Sequence, residues 1–404
     1  MPNGPKLLES LSQIGGALLK GLLPRIPATT PVACCGSNSV ATPPPDGIEE
    51  YIETFPDIRT QQTEPTHRRH KRRTPRNQKF FIVICENIDY SQALARPFLA
   101  KLAKRGTLFT NFHGLFHPSQ PNYIAMVAGT NTFDRVLTVD DGVVHTDFTI
   151  RNDANVKILG ARHLGDLLDS RRVSWKVYME NYAGAFVGQK TPPPELCPLP
   201  PDVRTTETVD CALCFRYGAE RANFPILSCP PPACFNYYVR YHNAFLSFEN
   251  VADDCARIIR RTAPSSQLYT DIRRRDLPQV SIYLPNQNNN AHDTDIDYCD
   301  AAMEATFGPL LDDPRFMEDM VFVMMFDENG TWRDDPTNNQ IYVSFVGPNV
   351  KRGERIDTHY THYNLLRTLE DYFKTGTLGK NDATADPITG FWRRPKRDPC
   401  HTRG

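Results

Sequence analysis

The sequence predicts an α/β protein, a mostly parallel sheet covered by helices on both faces. Three observations point there. Short runs of β-branched and aromatic residues lack the alternation of half-exposed strands, so they suit strands buried on both faces. Helical patterns separate these runs, and alternation of strand with helix is the pattern of a parallel sheet with helical crossovers. A hydrophobic content of 40%, with 22 Phe and 16 Tyr among 404 residues, is enough for a core and excludes full disorder.

The elements follow in chain order. Lys79 to Cys85, almost all Phe, Ile and Val, reads as the first buried strand, and the apolar positions of Arg96 to Lys104 as a helix. Leu108 to Phe112 is a short second strand, and the apolar run Tyr123 to Ala128 a helix. Leu164 to Ser170 is helical, Val173 to Met179 is a strand, and Val251 to Arg261 is helical again. Gln279 to Leu284 is a strand, Tyr298 to Leu311 a helix, and Met320 to Phe326 a strand. Ile341 to Val346 and His362 to Phe373 complete the pattern as strand and helix. Met320 to Phe326 is also the longest clean apolar run, far short of the roughly 18 residues that a bilayer span needs.

Prolines and charges divide the chain. Of 34 prolines, 11 precede residue 79 and 10 lie between 190 and 235, so the excess belongs to additions around an ordinary globular region. Residues 1–78 read as a largely unfolded leader, apart from a helical pattern at Leu7 to Leu23 suited to a degraded signal sequence or an interfacial helix. Cys34-Cys35 in this leader is a candidate palmitoylation site. His67 to Lys79 holds seven Lys/Arg, two His and no acid, as a solvated linker, a nucleic-acid patch or a furin-type processing site at Arg69 to Arg72 would. Residues 383–404 form a tail. With 46 basic against 47 acidic residues, the whole chain is neither a polycation nor an acidic tail.

Chemistry collects at strand ends, where open α/β sheets bind ligands. Glu86-Asn87 directly follows the first strand, and Asp327-Glu328-Asn329 directly follows Met320 to Phe326. Carboxylates so close repel unless protonated or bound to a cation, which points to a divalent metal. His117-Pro118-Ser119-Gln120-Pro121-Asn122-Tyr123 lies between a strand and a helix. There Ser119 is either a plain N-cap or a nucleophile at the helix N-terminus, its hydroxyl acidified by the metal. Histidines beside acids or amides recur in His242-Asn243, Asn290-Ala291-His292-Asp293 and His359-Tyr360-Thr361-His362.

Phe80 to Tyr90, His117 to Thr130, Ser174 to Gly184, Tyr238 to Val251, Tyr283 to Asp295, Val321 to Gly330 and Gly347 to Asp382 are similar, in order, to the phosphoesterase family that includes fungal acid phosphatases and bacterial phospholipases C. That family belongs to the alkaline phosphatase superfamily. The resemblance covers residues 79–382, with the Cys- and Pro-rich insertion at about 190–235 inside that domain. It implies a three-layer α/β/α sandwich and metal-dependent hydrolysis of phosphate esters through a phosphoserine on Ser119. Glu86, Asn87, Asp327, Glu328, Asp293 and Ser119 match positions that would gather a Ca, Mg, Mn or Zn ion. Asn122 matches a donor to a phosphoryl oxygen, and His242, His292 and His362 match the remaining polar motifs, one of them a proton donor to the leaving alkoxide. Imidazolium is populated below about pH 6.5, so the expected optimum is acidic. One departure concerns Asn288 to Asp293. The fungal pattern Asn-Asn-Asp-Gly-His-Asp reads Asn-Asn-Asn-Ala-His-Asp here, losing a carboxylate at Asn290 and a glycine at Ala291.

The implied partner is a small phosphate ester, with no nucleic acid at the mature domain. A phospholipase C-type diesterase, or a weak pseudoenzyme binding through the insertion, are the competing readings. Of the 11 cysteines, Cys197, Cys211, Cys214, Cys229, Cys234 and Cys255 lie in or beside the insertion. They suit disulfides in a secreted or vacuolar protein, with a zinc site at Cys211, Cys214, Cys229 and Cys234 as the rival. Cys85 reads as a buried thiol.

Overall fold

The computed structural model describes residues 77–137, 139–147, 156–182, 238–331 and 338–393, with the backbone alone at 185–187 and 195–197. All lie within the unit His70–Gly404. The expectations for the leader, its basic segment, most of the insertion and the end of the tail lie outside the described residues. No described helix is long and apolar enough to cross a membrane.

Eight strands form the main sheet: β1 (Lys79–Cys85), β2 (Thr107–Phe109), β3 (Trp175–Met179), β4 (Thr262–Pro264), β5 (Val280–Leu284), β6 (Met320–Phe326), β7 (Val343–Val346) and β8 (Glu354–Ile356). Their order is β8-β2-β7-β6-β1-β5-β3-β4. Only β7 runs antiparallel to its neighbours, so the sheet is mostly parallel. The longer helices are α1 (Pro97–Arg105), α2 (Ser119–Ala128), α3 (Leu164–Ser170), α4 (Cys255–Arg261), α5 (Ser265–Arg274), α6 (Ile296–Leu311) and α7 (His362–Phe373).

Period-two alternation along β1 shows the three layers. Phe80 meets Tyr372 and Phe373 of α7 on one face, at ring-centroid distances of 5.2 and 6.0 Å. Phe81 meets Phe307 of α6 and Phe316 on the other, at 5.8 and 5.1 Å. The helices accordingly form two sets, α2, α3 and α7 packing together on the Phe80 face and α1 against α6 on the Phe81 face. Arg257 and Arg261 of α4 reach Asp169 of α3, which adds α4 to the first set. Every residue of β5 and β6 is buried, as a sheet covered on both sides requires.

Four sequence elements agree with the structure at both ends: Lys79–Cys85, Leu164–Ser170, Met320–Phe326 and His362–Phe373. Three differ in ways that matter. Leu108 to Phe112 splits into β2 and a two-residue strand, Phe112–His113, that pairs with Tyr360–Thr361 outside the main sheet. Val251 to Arg261 breaks into Glu249–Ala252 and α4, because Asp254 caps a new helix by accepting from the Arg257 N–H. Helix α2 starts at Ser119, four residues before the apolar run Tyr123 to Ala128, so the serine is its first residue. Pro121 sits in that opening turn, where its missing N–H breaks no helical bond.

Candidate active site

Strand register builds the site. Cys85 of β1 pairs with Phe326 of β6, so the next residues, Glu86 and Asp327, leave adjacent parallel strands side by side. Alternation carries Phe80, Ile82, Ile84 and then Glu86 to the face covered by α2, where Ile82 and Ile84 share a small internal cavity with Tyr123, Met126 and Val127. Glu86 and Asp327 are both fully buried and Glu328 is 1% exposed. Gly330 closes the turn after β6, since a Cβ there would stand 2.6 Å from the Asn87 carbonyl oxygen.

The Ser119 hydroxyl donates to Glu86 Oε2 at 2.8 Å. The other oxygen of Glu86 accepts from the Tyr123 hydroxyl at 2.5 Å and lies 3.1 Å from His242 Nε2. The His242 ring stacks on Tyr123 with centroids 4.8 Å apart. The Asn87 amide oxygen stands 3.3 Å from Ser119 Oγ. The same amide position is 3.3 Å from Glu86 Oε2 and from Glu328 Oε1, so a reversed amide would donate to all three oxygens. With its oxygen inward, the cluster is a shell of oxygens alone.

That shell has the character of a cation site. Burial is the leading cause pushing the Glu86, Asp327 and Glu328 carboxyls up, followed by a neighbouring carboxylate in each case: Asp327 on Glu86, Glu328 on Asp327, and Glu86 on Glu328. Glu328 rises to about 9. Asp327 Oδ2 is buried with no hydrogen-bond partner. Oxygens about 3.3 Å apart match neighbouring ligands roughly 2.3 Å from one hard cation. Among the described residues no three His, Cys, Asp or Glu side chains form a ready-made cage. The fit therefore includes the Asn87 amide and the Ser119 hydroxyl, both oxygen donors suited to Ca²⁺, Mg²⁺ or Mn²⁺.

The other sequence candidates divide. Asn122 is buried, but its amide is committed: its oxygen accepts from the Leu115 and Phe116 N–H groups, both at 2.9 Å. Its nitrogen donates to Phe116 O at 2.8 Å and Glu328 Oε2 at 3.1 Å. In this geometry it ties the approach to α2 to the acidic cluster. His362 Nε2 lies 2.7 Å from the Asp327 backbone oxygen. Burial holds His242 well below the usual imidazole range and His362 at about 4, which favours their neutral forms. His292 differs, with a side chain 37% exposed and Nδ1 2.7 Å from Asp293 Oδ1. Positive charge on His292 would lower the pKa of Glu86 and of His242. Asp293, with a side chain 51% exposed, is engaged by His292.

Asn290 keeps a defined place without a carboxylate. Its side-chain oxygen accepts the His292 N–H at 2.9 Å, its amide donates to Gln287 Oε1 at 2.9 Å, and its carbonyl accepts the Glu86 N–H at 2.9 Å. Three residues of the site carried no sequence signal of their own. Tyr123 and His117 stood inside the serine motif, and His117 Nδ1 lies 3.1 Å from Glu328 Oε2. Asp147 accepts the Gln120 N–H of α2 at 2.8 Å and a bond from Tyr241. Glu180, directly after β3, is a further strand-end acid, a signal that the strand pattern did contain.

The described cysteines include a free buried pair, Cys85 and Cys299, with sulfurs 3.7 Å apart. Cys255 is disulfide-bonded.

A three-layer α/β/α sandwich with a helix-borne serine and buried acids at its strand ends is the class of protein that fold and site define. The chain belongs to the Phosphoesterase family, which it matches over residues 53–376. It is 29% identical over 313 residues to a probable acid phosphatase of Kluyveromyces lactis, covering 77% of this chain and 62% of that protein. A phosphate-repressible acid phosphatase of Penicillium chrysogenum is 31% identical, covering 76% and 62%. The phosphatidylinositol-3-phosphatase of Mycobacterium tuberculosis is 26% identical, covering 77% and 81%. The chain thus spans 62% of the length of these two fungal relatives. Among solved structures, a phosphonate monoester hydrolase from Silicibacter pomeroyi aligns with a TM-score of 0.44 and 9% identity, covering 77% of this chain and 75% of that one.

Proposed function

We propose that the chain is a metal-dependent phosphoric-ester hydrolase, acid-phosphatase-like, acting through a phosphoserine on Ser119. The observation that carries this reading is the Ser119 hydroxyl at the first turn of α2, donating at 2.8 Å to Glu86 Oε2. The acid phosphatases among its relatives support the substrate class.

Glu86, Asn87, Asp327 and Glu328 would hold the cation. When bound, it would neutralise phosphoryl charge and acidify the serine hydroxyl. Glu86 takes the Ser119 proton on Oε2, while the Tyr123 hydroxyl holds its other oxygen in place. Ser119 Oγ forms the new bond to phosphorus as the bond to the leaving oxygen breaks. His292, at the rim beside Asp293, gives that oxygen a proton. Water, giving a proton to His292, then forms its bond to phosphorus as the bond to Ser119 Oγ breaks, and the proton held on Glu86 returns to Ser119 as inorganic phosphate leaves. The loose transition state asks for alignment and charge neutralisation, which a rigid buried cluster supplies.

The test is hydrolysis of p-nitrophenyl phosphate by wild type and Ser119→Ala, with and without chelator and added Mn²⁺, Mg²⁺ or Ca²⁺. Intact-protein mass after an acid quench should show one phosphoryl group on wild type and none on the variant. Full activity in Ser119→Ala would sink the covalent route, and full activity in chelator would sink the metal requirement.

A further inference from the structure

Four strands of the main sheet are followed directly by an acid, at Glu86, Glu180, Asp327 and Asp357, and Glu180 is buried outside the oxygen shell. Glu180 directly follows β3 and is 2% exposed. Alternation from Trp175 sends it to the face opposite Glu86, where its Oε1 accepts from the Tyr283 hydroxyl at 2.7 Å. Its Oε2 accepts twice from the segment after β5: the Asn286 N–H at 2.9 Å and the Asn289 side-chain amide at 2.7 Å.

That segment is the one that delivers His292. Asn286 Oδ1 accepts the N–H groups of Asn288 and Asn289, at 3.0 and 2.9 Å, folding the asparagine run back on itself. Asn290 then joins the Glu86 N–H to the His292 N–H, and the Asp293 N–H returns to the Gln287 carbonyl at 2.9 Å. Each asparagine thus has a separate bond to make, and two of the run's ties end on one buried carboxylate. Burial pushes the Glu180 carboxyl up, while Asn286, Tyr283 and Asn289 oppose that by favouring the charged form.

We infer that Glu180 is a positioning residue: by anchoring Asn286 and Asn289 it fixes the loop in which Asn290 ties the His292 N–H to the Glu86 N–H. This rests on the proposed proton-donor role of His292, through which Glu180 would act. A loop shifted by about 1 Å at a reacting group loses a large part of its rate advantage.

The experiment uses Glu180→Gln, Asn289→Ala and Tyr283→Phe, the first two also combined with His292→Ala. Steady-state hydrolysis of p-nitrophenyl phosphate and amide hydrogen exchange across 286–293 are measured on each full-length protein. Glu180→Gln and Asn289→Ala should lower kcat about tenfold or more, with KM moving less than roughly threefold, and should quicken exchange in 286–293. Tyr283→Phe takes a bond from Glu180 without touching the loop and should keep kcat. In the His292→Ala background the kcat loss should vanish, since the group being positioned is gone. Equal losses with and without His292, full activity in His292→Ala, or unchanged exchange in both loop variants would each overturn the inference. Should Glu180→Gln fail to fold, Asn289→Ala carries the same test with the carboxylate intact. A wild type that hydrolyses no phosphate ester overturns the functional reading alone. Exchange then decides the anchoring role, quickened exchange confined to 286–293 supporting it and unchanged exchange refuting it.

Discussion

Glu86 and Asp327 leave neighbouring parallel strands one step beyond the paired residues Cys85 and Phe326, and the Asp327 N–H donates to the Cys85 carbonyl at 3.0 Å. Two buried acids are thereby fixed side by side by the sheet itself, and each raises the cost of ionising the cluster.

Such an arrangement stores instability that a bound cation would relieve. Asp327→Asn should raise the melting temperature in chelator, by an amount on the order of 1 kcal/mol, while lowering phosphatase activity at least about a hundredfold. Wild type should gain melting temperature on adding Mn²⁺ or Ca²⁺, and the variant should gain much less. Calorimetry with and without the ion checks both. A variant that is stabilised by the ion as strongly as wild type would remove Asp327 from the ligand set.

Tyr123 gives a second handle, because its hydroxyl meets Glu86 Oε1 on the side away from Ser119. Tyr123→Phe keeps the ring stacked on His242 and removes only that bond. It should cost about 1 kcal/mol of stability and lower kcat about tenfold with KM little changed, as loss of alignment without loss of substrate contacts would. Kinetics beside a urea titration separates the two effects, and an equal rise in KM would instead place the hydroxyl on the substrate.

Much of this site was legible because strand-end acids follow from strand assignment: once Lys79 to Cys85 and Met320 to Phe326 are strands, Glu86 and Asp327 fall at one edge. The start of α2 was less legible, since Ser119 to Asn122 carries no apolar periodicity and is buried by its polar contacts to Glu86, Asp147 and Glu328. Asn122 looked like a free donor because a sequence does not show that backbone N–H groups six and seven residues earlier would claim its oxygen. The division among histidines was hidden for a similar reason: burial, not neighbouring letters, separates His242 and His362 from His292.

Ala291 sits at φ +88°, in the left-handed region that glycine occupies at little cost, and it precedes His292. The sequence departure from glycine is therefore a departure toward strain. Ala291→Gly should stabilise the protein by roughly 1 kcal/mol, read as a higher melting temperature, with the hydrogen bonds of Asn290 preserved. A lower melting temperature would mean that the added chain entropy of glycine outweighs the relieved strain.

A last prediction concerns pH, at a carboxyl pair remote from the oxygen shell. Glu370 of α7 is 1% exposed and Asp382 fully buried, and Asp382 accepts the Leu378 and Lys380 N–H groups at 2.6 and 2.9 Å. Burial first and the Asp382 charge second push Glu370 up to about 9, with Arg367 opposing. The folded chain thus keeps a proton on Glu370 that the unfolded chain releases near its ordinary value of 4.5. Folding is favoured in full below that value, the advantage shrinks as pH rises from there toward 9, and above it is gone. Glu370→Gln, which mimics the neutral acid permanently, should match wild type in acid and exceed it increasingly between pH 5 and 9. Melting curves across that range decide the matter: parallel curves for the two proteins would mean that Glu370 is already ionised in the fold.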